Sequence, residues 1–157
     1  MNNEKEQDQY LFFLVGGDLY AIEALIASEI VEYSDVTKVP MMQPFIKGVT
    51  NIRGNIVPVI DMLDRFDLGA TDIGDKTSIV VINYKEDNGV QIQMGILIDE
   101  VYAVDDINKS DTKSTPGFGT KFNRKFIAKM GKYEGDYIAI LDTQKVLDIK
   151  ELSKLGV

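Results

Sequence analysis

The chain has 157 residues, a formal net charge of −8, and no cysteine, histidine or tryptophan. This length allows one domain or two small ones, with a core that needs no disulfides. The missing residue types exclude thiol catalysis, Ser-His-Asp catalysis and histidine metal sites, and the acidic balance argues against a nucleic-acid surface.

The first residues, MNNEKEQDQ, are polar and lack the basic start and apolar run of a signal peptide. No apolar segment approaches the roughly 18–20 residues that are needed to span a bilayer. We therefore expect a cytoplasmic protein with a flexible tail over residues 1–9 and one folded domain over residues 10–157.

Strand-forming residues dominate the first half of the chain. The run YLFFLV, the turn Gly16-Gly17-Asp18 and the run LYAI predict a β-hairpin, because paired glycines adopt positive φ at no steric cost. Apolar residues at roughly helical spacing then predict a short helix before Tyr33: Ile22, Leu25, Ile26 and Ile30. Two further strands are expected at about residues 45–52 and 55–61, joined near Arg53-Gly54.

The second half presents the same kinds of element in the same order. SIVVINY and VQIQMGILID flank a turn that ends in Asn88-Gly89, a strong hairpin signal, and DEVYAV follows as another strand. A polar loop runs through Pro116 to the string FIAKMGKYEGDYIAILD. The tail predicts a closing helix whose apolar residues serve core packing more often than docking: Val146, Leu147, Ile149, Leu152 and Leu155.

A shift of 81 positions aligns residues 45–61 with residues 126–142 without a gap. It pairs Phe45 with Phe126, Ile46 with Ile127, Gly54 with Gly135, and Asp61 with Asp142. Chance similarity between two strand-rich strings is the alternative, but glycine, aspartate and apolar alternation all align. We therefore predict duplicated modules, at about residues 10–68 and 78–149, that form a pair of small barrels.

No segment has the pattern of an active site. Asp99 and Glu100 are adjacent in a predicted strand, so their side chains point to opposite faces. The segment DDINKSD lacks the glycine and the glutamate of a calcium loop, and GFGTKF lacks the ending of a phosphate-binding loop. The sequence therefore predicts neither an enzyme nor a metal or cofactor site.

Arg53 stands where the apolar alternation of FIKGVTNIRGNIVPVIDML breaks. It follows Ile52 and precedes Gly54, so it projects from a strand end beside a tight backbone. A solvated turn arginine is one reading, but an arginine that lies across apolar surface is typical of protein recognition. The corresponding residue in the second half is Glu134, so the fold of the module does not by itself demand an arginine.

The strings ASEIVEYSDVTKV and PFIKGVTNIRGNIVPVIDM, together with the later GILIDEV, TPGF and ILDTQKVL, resemble the CheW-like domain of bacterial chemotaxis. The resemblance extends from Tyr10 to about Leu147. It implies an all-β fold of two intertwined five-stranded SH3-like barrels, with short helices that include a C-terminal one. It also implies a stand-alone coupling protein, without enzymatic activity or cofactor, that bridges chemoreceptors to the regulatory domain of the histidine kinase CheA.

The resemblance also implies positions for the two binding surfaces. The receptor-binding surface, in a groove between the barrels, would comprise Ala27, Glu29, Ile30, Asn51, Arg53 and Gly54. The kinase-binding loop of the second half would comprise Lys113, Pro116 and Phe118. An ordinary turn with a buried aromatic is the alternative for Pro116 and Phe118.

Two other functions stay open at this point. One is a coupling protein of a chemosensory-like pathway other than flagellar motility. The other is a small β-barrel enzyme or ligand-binding protein that shares only the scaffold. In the leading hypothesis the protein is recruited to membrane-associated receptor arrays, without inserting into the membrane and without binding nucleic acid.

Overall fold

The computed structural model describes residues 7–114 and 124–148, and every structural statement below concerns those residues. The strands are β1 (Gln7–Val15), β2 (Asp18–Glu23), β3 (Ala27–Glu32), β4 (Ile46–Ile52), β5 (Asn55–Asp61), β6 (Ser78–Lys85), β7 (Gln91–Ile98), β8 (Glu100–Asn108), β9 (Thr112–Lys113), β10 (Ile127–Tyr133) and β11 (Asp136–Leu141). The helices are α1 (Met62–Arg65) and α2 (Thr143–Val146), with single 3₁₀ turns at Ala24–Ile26, Lys109–Asp111 and Arg124–Phe126.

The strands form two sheets, and each sheet draws strands from both halves of the chain. One sheet has the order β3-β6-β7-β5-β4, and the other has the order β8-β1-β2-β11-β10-β9. Thus β3 pairs with β6 of the second half, while β8 pairs with β1 of the first. The parallel pairs β5–β7 and β2–β11 also join the halves. The all-β, intertwined architecture predicted from the sequence is confirmed.

Each sheet curls around a cluster of its own and becomes a barrel. In the first barrel (β3-β6-β7-β5-β4) the interior is Ile52, Val57, Val59, Ile79, Val81 and Leu97, with Val31 packed against them. In the second barrel the interior is Tyr10, Phe12, Ala21, Ile107, Ile138 and Ile140, with Tyr133 packed against them. A third and larger cluster, which includes Phe13, Ile60, Val80, Ile96 and Phe126, fills the space between the barrels.

The two hairpins that the 81-residue shift aligns turn in the same way. Arg53 and Gly54 have φ of 53° and 86°, and Glu134 and Gly135 have φ of 50° and 86°. Positive φ at both central residues defines a type I′ turn, whose twist matches that of the flanking strands. The glycine takes the second position of each turn without the penalty of a Cβ atom.

Other details repeat at the same spacing. A bulge interrupts β4 between Ile46 and Gly48, and another interrupts β10 between Ile127 and Lys129. Asp61 caps α1 by accepting from the Leu63 N–H, and Asp142 caps α2 by accepting from the Lys145 N–H. The division into modules of about residues 10–68 and 78–149 stays a prediction, which these paired details support.

Two expectations from the sequence need correction. The segment before Tyr33 is not a helix: β2 and β3 occupy most of it, and only Ala24–Ile26 form a 3₁₀ turn. Strand β1 begins at Gln7, so residues 7–9 belong to a sheet and not to the expected tail. The closing helix was predicted for the tail from Val146 to Leu155, and most of that segment lies outside the described residues.

Candidate functional site

The Arg53 corner is held in place by its own turn and by a neighbouring strand. The side-chain oxygen of Asn51 accepts a hydrogen bond of 2.9 Å from the Gly54 N–H, which fixes the turn. Arg53 Nε then donates to Glu29 Oε2 at 3.2 Å, although 79% of the Arg53 side chain is exposed. Four of the predicted receptor-binding residues thus meet at this corner, through three side chains and one backbone N–H.

The ion pair crosses the line where the first barrel closes, between its edge strands β3 and β4. We call this line the first seam. Further along it, Thr37 and Val49 exchange two backbone hydrogen bonds of 2.8 Å, and Thr50 Oγ1 donates to the Asp35 carbonyl at 3.4 Å. The first barrel is therefore closed by one ion pair and a few hydrogen bonds between chain segments that do not form a continuous ladder.

An open cleft of about 390 Å³ lies along the first seam. Apolar side chains form its floor and polar or charged side chains form its rim. The lining residues are Glu29, Val31, Glu32, Ser34, Thr50, Asn51, Ile52, Arg53 and Ile79. A cleft with an apolar floor and a charged rim can bury part of a partner and orient it through polar contacts.

The second seam, between β8 and β10 of the second barrel, has different chemistry. The Tyr102 hydroxyl donates to Glu134 at 2.9 Å, and the Tyr133 hydroxyl donates to Asp105 at 3.0 Å. The Tyr133 ring stacks on Phe12 with ring centroids 3.9 Å apart. Aromatic rings and phenol–carboxylate hydrogen bonds therefore span this seam.

The surroundings of these phenols change their acidity. Burial, followed by the hydrogen bond to Asp105, raises the pKa of Tyr133 to about 12. The hydrogen bond to Glu134 raises the pKa of Tyr102. Both phenols are therefore neutral hydrogen-bond donors at physiological pH.

Glu134 changes the interpretation of the Arg53 position. The sequence placed Glu134 at the position that corresponds to Arg53 and suggested that only the first module carries a functional side chain there. The structure shows that Glu134 also reaches across its own seam, to Tyr102. The corner residue spans the seam in both barrels, and the difference between the barrels lies in its chemistry.

The remaining predicted receptor-binding residues lie on the other face of β3. A bulge between Ala27 and Glu29 places Glu29 opposite Val81, on the face of the barrel interior. Ala27 and Ile30 then fall on the face of the inter-barrel cluster, where Ala27 packs against that cluster and Ile30 remains 44% exposed. The predicted set is thus divided between the first seam and the space between the barrels.

Of the predicted kinase-binding residues, only Lys113 lies in the described part of the chain. It is exposed in β9, and its Nζ lies 5.2 Å from the centroid of the Tyr137 ring. Pro116 and Phe118 lie outside the described residues.

The sequence of this chain matches the CheW-like domain family over residues 9–151. The chain belongs to this family. The resemblance stated from the sequence motifs is therefore confirmed.

Individual relatives cover nearly the whole chain. The chemotaxis protein CheW of Bacillus subtilis is 33% identical, over 98% of this chain and 94% of that protein. The chemotaxis protein CheW of Treponema pallidum is 30% identical, over 96% of this chain and 88% of that protein. The scaffolding protein TtCheW from Thermoanaerobacter tengcongensis superimposes with a TM-score of 0.79 at 24% identity, over 90% of this chain and 88% of that one, which supports the fold.

No helix within residues 7–114 and 124–148 has the length and hydropathy to cross a bilayer. In the same ranges no cluster of three or more acidic side chains is arranged to hold a metal ion.

Sequence reasoning missed several contributors to the two seams. Glu32 and Ile79 line the first cleft, while Tyr102 and Tyr133 close the second seam. Their seam partners are separated by more than twenty residues along the chain, so no local motif contains both members of a pair. The available signal was the alternation in EVYAVDD, which marks a strand that carries an aromatic and acids without indicating what they contact.

Proposed function

We propose that this chain is a chemotaxis coupling adaptor that links chemoreceptors to the histidine kinase CheA and has no enzymatic activity of its own. Membership of the CheW-like family and the names of its relatives support this function. The observation that carries the proposed site is the contrast between the seams: the first has an open cleft with a charged rim, and the second is spanned by aromatic rings and phenol–carboxylate hydrogen bonds.

The receptor contact is assigned to the first barrel and its border with the second. Arg53 and Glu29 form an exposed ion pair, and such pairs contribute only about 0.2–1 kcal/mol to folding. Their charged groups can therefore exchange partners at little cost to the fold. Ile30 offers exposed apolar surface on the neighbouring face of β3, where the apolar stripe of a receptor helix could pack.

The kinase contact is assigned to the second barrel. Lys113, in β9, is exposed and precedes Pro116 by three residues in the sequence. Since the Arg53 corner lies on the first barrel and Lys113 on the second, one small domain could hold two partners at once. The adaptor would thereby be recruited to receptor arrays at the membrane while remaining outside the bilayer.

A charge-reversal cycle tests the receptor contact. Arg53→Glu and Glu29→Arg are made singly and together, and binding to a soluble receptor signalling-tip fragment is measured by isothermal titration. Each single variant should lose about 1–3 kcal/mol of binding, the range for a charged intermolecular contact. The double variant restores the ion pair within the chain, but it should not restore binding, since the receptor would meet reversed charges.

The control is Glu134→Arg, at the equivalent corner of the second barrel. It should fold and bind the receptor fragment as the unmodified protein does. If both single variants bind normally while circular dichroism shows an intact fold, Arg53 and Glu29 do not belong to the receptor contact.

A further inference from the structure

Arg65, the last residue of α1, is a buried arginine between two aromatic rings. Only 8% of it is exposed. Its guanidinium carbon lies 4.5 Å from the ring centroid of Phe45 and 4.7 Å from that of Phe126. Its Nε donates to the Val146 carbonyl at 2.9 Å, and one terminal nitrogen donates to the Lys145 carbonyl at 3.4 Å.

These contacts reach both halves of the duplicated chain. Phe45 and Phe126 are equivalent residues under the 81-residue shift, and both belong to the cluster between the barrels. Arg65 belongs to α1, which continues β5 of the first barrel, whereas its carbonyl partners belong to α2, which continues β11 of the second. One side chain therefore joins the ends of the two equivalent hairpins.

The connection runs in one direction only. The residue equivalent to Arg65 is Val146, which has no polar side chain to return the contact. Helix α1 ends by itself: Asp67 adopts φ of 66°, and the N–H groups of Asp67 and Leu68 bond to the carbonyls of Asp64 and Leu63. The last carbonyls of a helix need donors, and for α2 Arg65 supplies them from the other module.

The geometry requires a guanidinium. A planar group can stack between two rings while its edge donates in a fixed fork, and an ammonium group cannot do both. A purely apolar residue would fill the same space more cheaply, because burying a charge carries a desolvation cost. An apolar residue could not donate to the Val146 and Lys145 carbonyls, and it is these hydrogen bonds that fix α2 relative to α1.

We propose that Arg65 is a positioning residue that holds the two barrels at a fixed separation and angle. On the proposed function, this fixes the distance between the receptor contact on the first barrel and the kinase contact on the second. Losing Arg65 would then leave each barrel folded and the apolar cluster between them in place, but the relative position of the barrels would be less tightly fixed.

The separation of the barrels can be measured without any partner. The chain has no cysteine, so Asn55→Cys and Asp136→Cys, two exposed residues that directly follow the equivalent turns, accept nitroxide labels selectively. Double electron–electron resonance then reports the distance between the barrels. We expect a single narrow distribution in the parent protein, a broader or shifted one in Arg65→Met, and an intermediate one in Arg65→Lys.

Lys125→Met is the matched control. The Lys125 ammonium also lies over the Phe126 ring, 5.0 Å from its centroid, but the side chain is exposed. This variant should leave the distribution unchanged. If Arg65→Met is folded and its distance distribution has the same mean and width as that of the parent, the proposal is wrong. If Arg65→Met does not fold, the same criterion applies to Arg65→Lys.

A second measurement connects the joint to function. Receptor-tip and kinase regulatory-domain affinities of Arg65→Met should each stay near those of the parent, while assembly of the three-component complex weakens by roughly 5- to 150-fold, the usual range for coupling between sites. Unchanged assembly would overturn the functional part of the proposal. Failure of the parent to bind the receptor tip would instead refute the proposed function and leave the distance measurement valid.

Discussion

Gly48 should be far less replaceable than the glycines at the hairpin corners. A Cβ atom at Gly48 would lie 2.1 Å from the Thr37 carbonyl oxygen and 2.7 Å from its carbon, both of them backbone atoms. The backbone φ of Gly48 is also 153°, which side chains rarely adopt. In Gly48→Ala the segment at Thr37 must therefore move away from β4.

The cost can be worked from the contacts that would be lost. Moving the segment breaks the two hydrogen bonds of 2.8 Å between Thr37 and Val49, each worth about 1 kcal/mol. The positive φ adds about 1 kcal/mol more. We expect Gly48→Ala to lower the free energy of unfolding by about 3 kcal/mol, equivalent to a fall in Tm of roughly 6–12 °C for a domain of this size.

Gly54→Ala is the control, because its φ of 86° is strained for alanine but the space around it is open. It should cost about 1 kcal/mol. Both variants are compared by urea unfolding, in which the midpoint and the slope are fitted together. Independent sites depart from additivity by up to about 0.5 kcal/mol. If the free energies of unfolding of the two variants differ by less than this, the argument from close backbone approach is refuted.

Three further results are expected. Asp61→Asn should lower the free energy of unfolding by about 2–3 kcal/mol, because the buried Asp61 carboxylate accepts three hydrogen bonds. Asp142→Asn should lower it by about 1 kcal/mol or less, because Asp142 only caps α2. Equal losses for the two variants in urea unfolding would contradict this. Asp105→Asn should lower the pKa of Tyr133 from about 12 towards 10, as followed by NMR of labelled tyrosine. Since the folded state holds the Tyr133 proton more tightly, the stability that Tyr133 contributes is present below pH 10 and lost between about pH 10 and 12; constant stability across that window would refute the assignment. Phe118→Ala should weaken binding of the kinase regulatory domain and leave receptor binding unchanged, unless a lowered Tm shows that the ring is part of the core.

Local signals predicted the hairpins well. The Gly16-Gly17 and Asn88-Gly89 turns lie where the sequence indicated, and the strands on either side of Arg53-Gly54 begin and end within a residue of the expected positions. These features depend on φ preferences and strand alternation, which act over a few residues. The equivalence of Arg53 and Glu134 also followed from the sequence, because it needed only a gapless shift.

The false helix before Tyr33 has a specific physical cause. The apolar residues that indicated it belong to three different elements: Ile22 to β2, Leu25 and Ile26 to the 3₁₀ turn, and Ile30 to β3. Ile22 is buried whereas Leu25 is 94% exposed, so these residues do not form one apolar face. The apolar period could not distinguish these structures, since the ends of β2 and β3 depend on their partner strands.

For a related reason, the sequence could not show that the predicted receptor-binding residues are divided between two faces of β3. Glu29 and Ile30 are neighbours in the chain, but they face the barrel interior and the inter-barrel space, respectively. Arg53 was identifiable by its position, and its contact with Glu29 follows only from the closure of β4 against β3. The cleft between these strands is a product of that closure and leaves no motif of its own.

The exchange of strands between the sheets makes the two halves of the chain interdependent. A fragment that ended after α1 would carry β1 without β8, and β3 without β6, so its edges would lack their native partners. Two copies of such a fragment could satisfy each other in the way that the joined halves do here. The fold thus has the form of a domain-swapped homodimer whose subunits have been joined into one polypeptide. Once the halves are joined, each copy of the module can change its surface independently, because its partner can no longer be an identical chain.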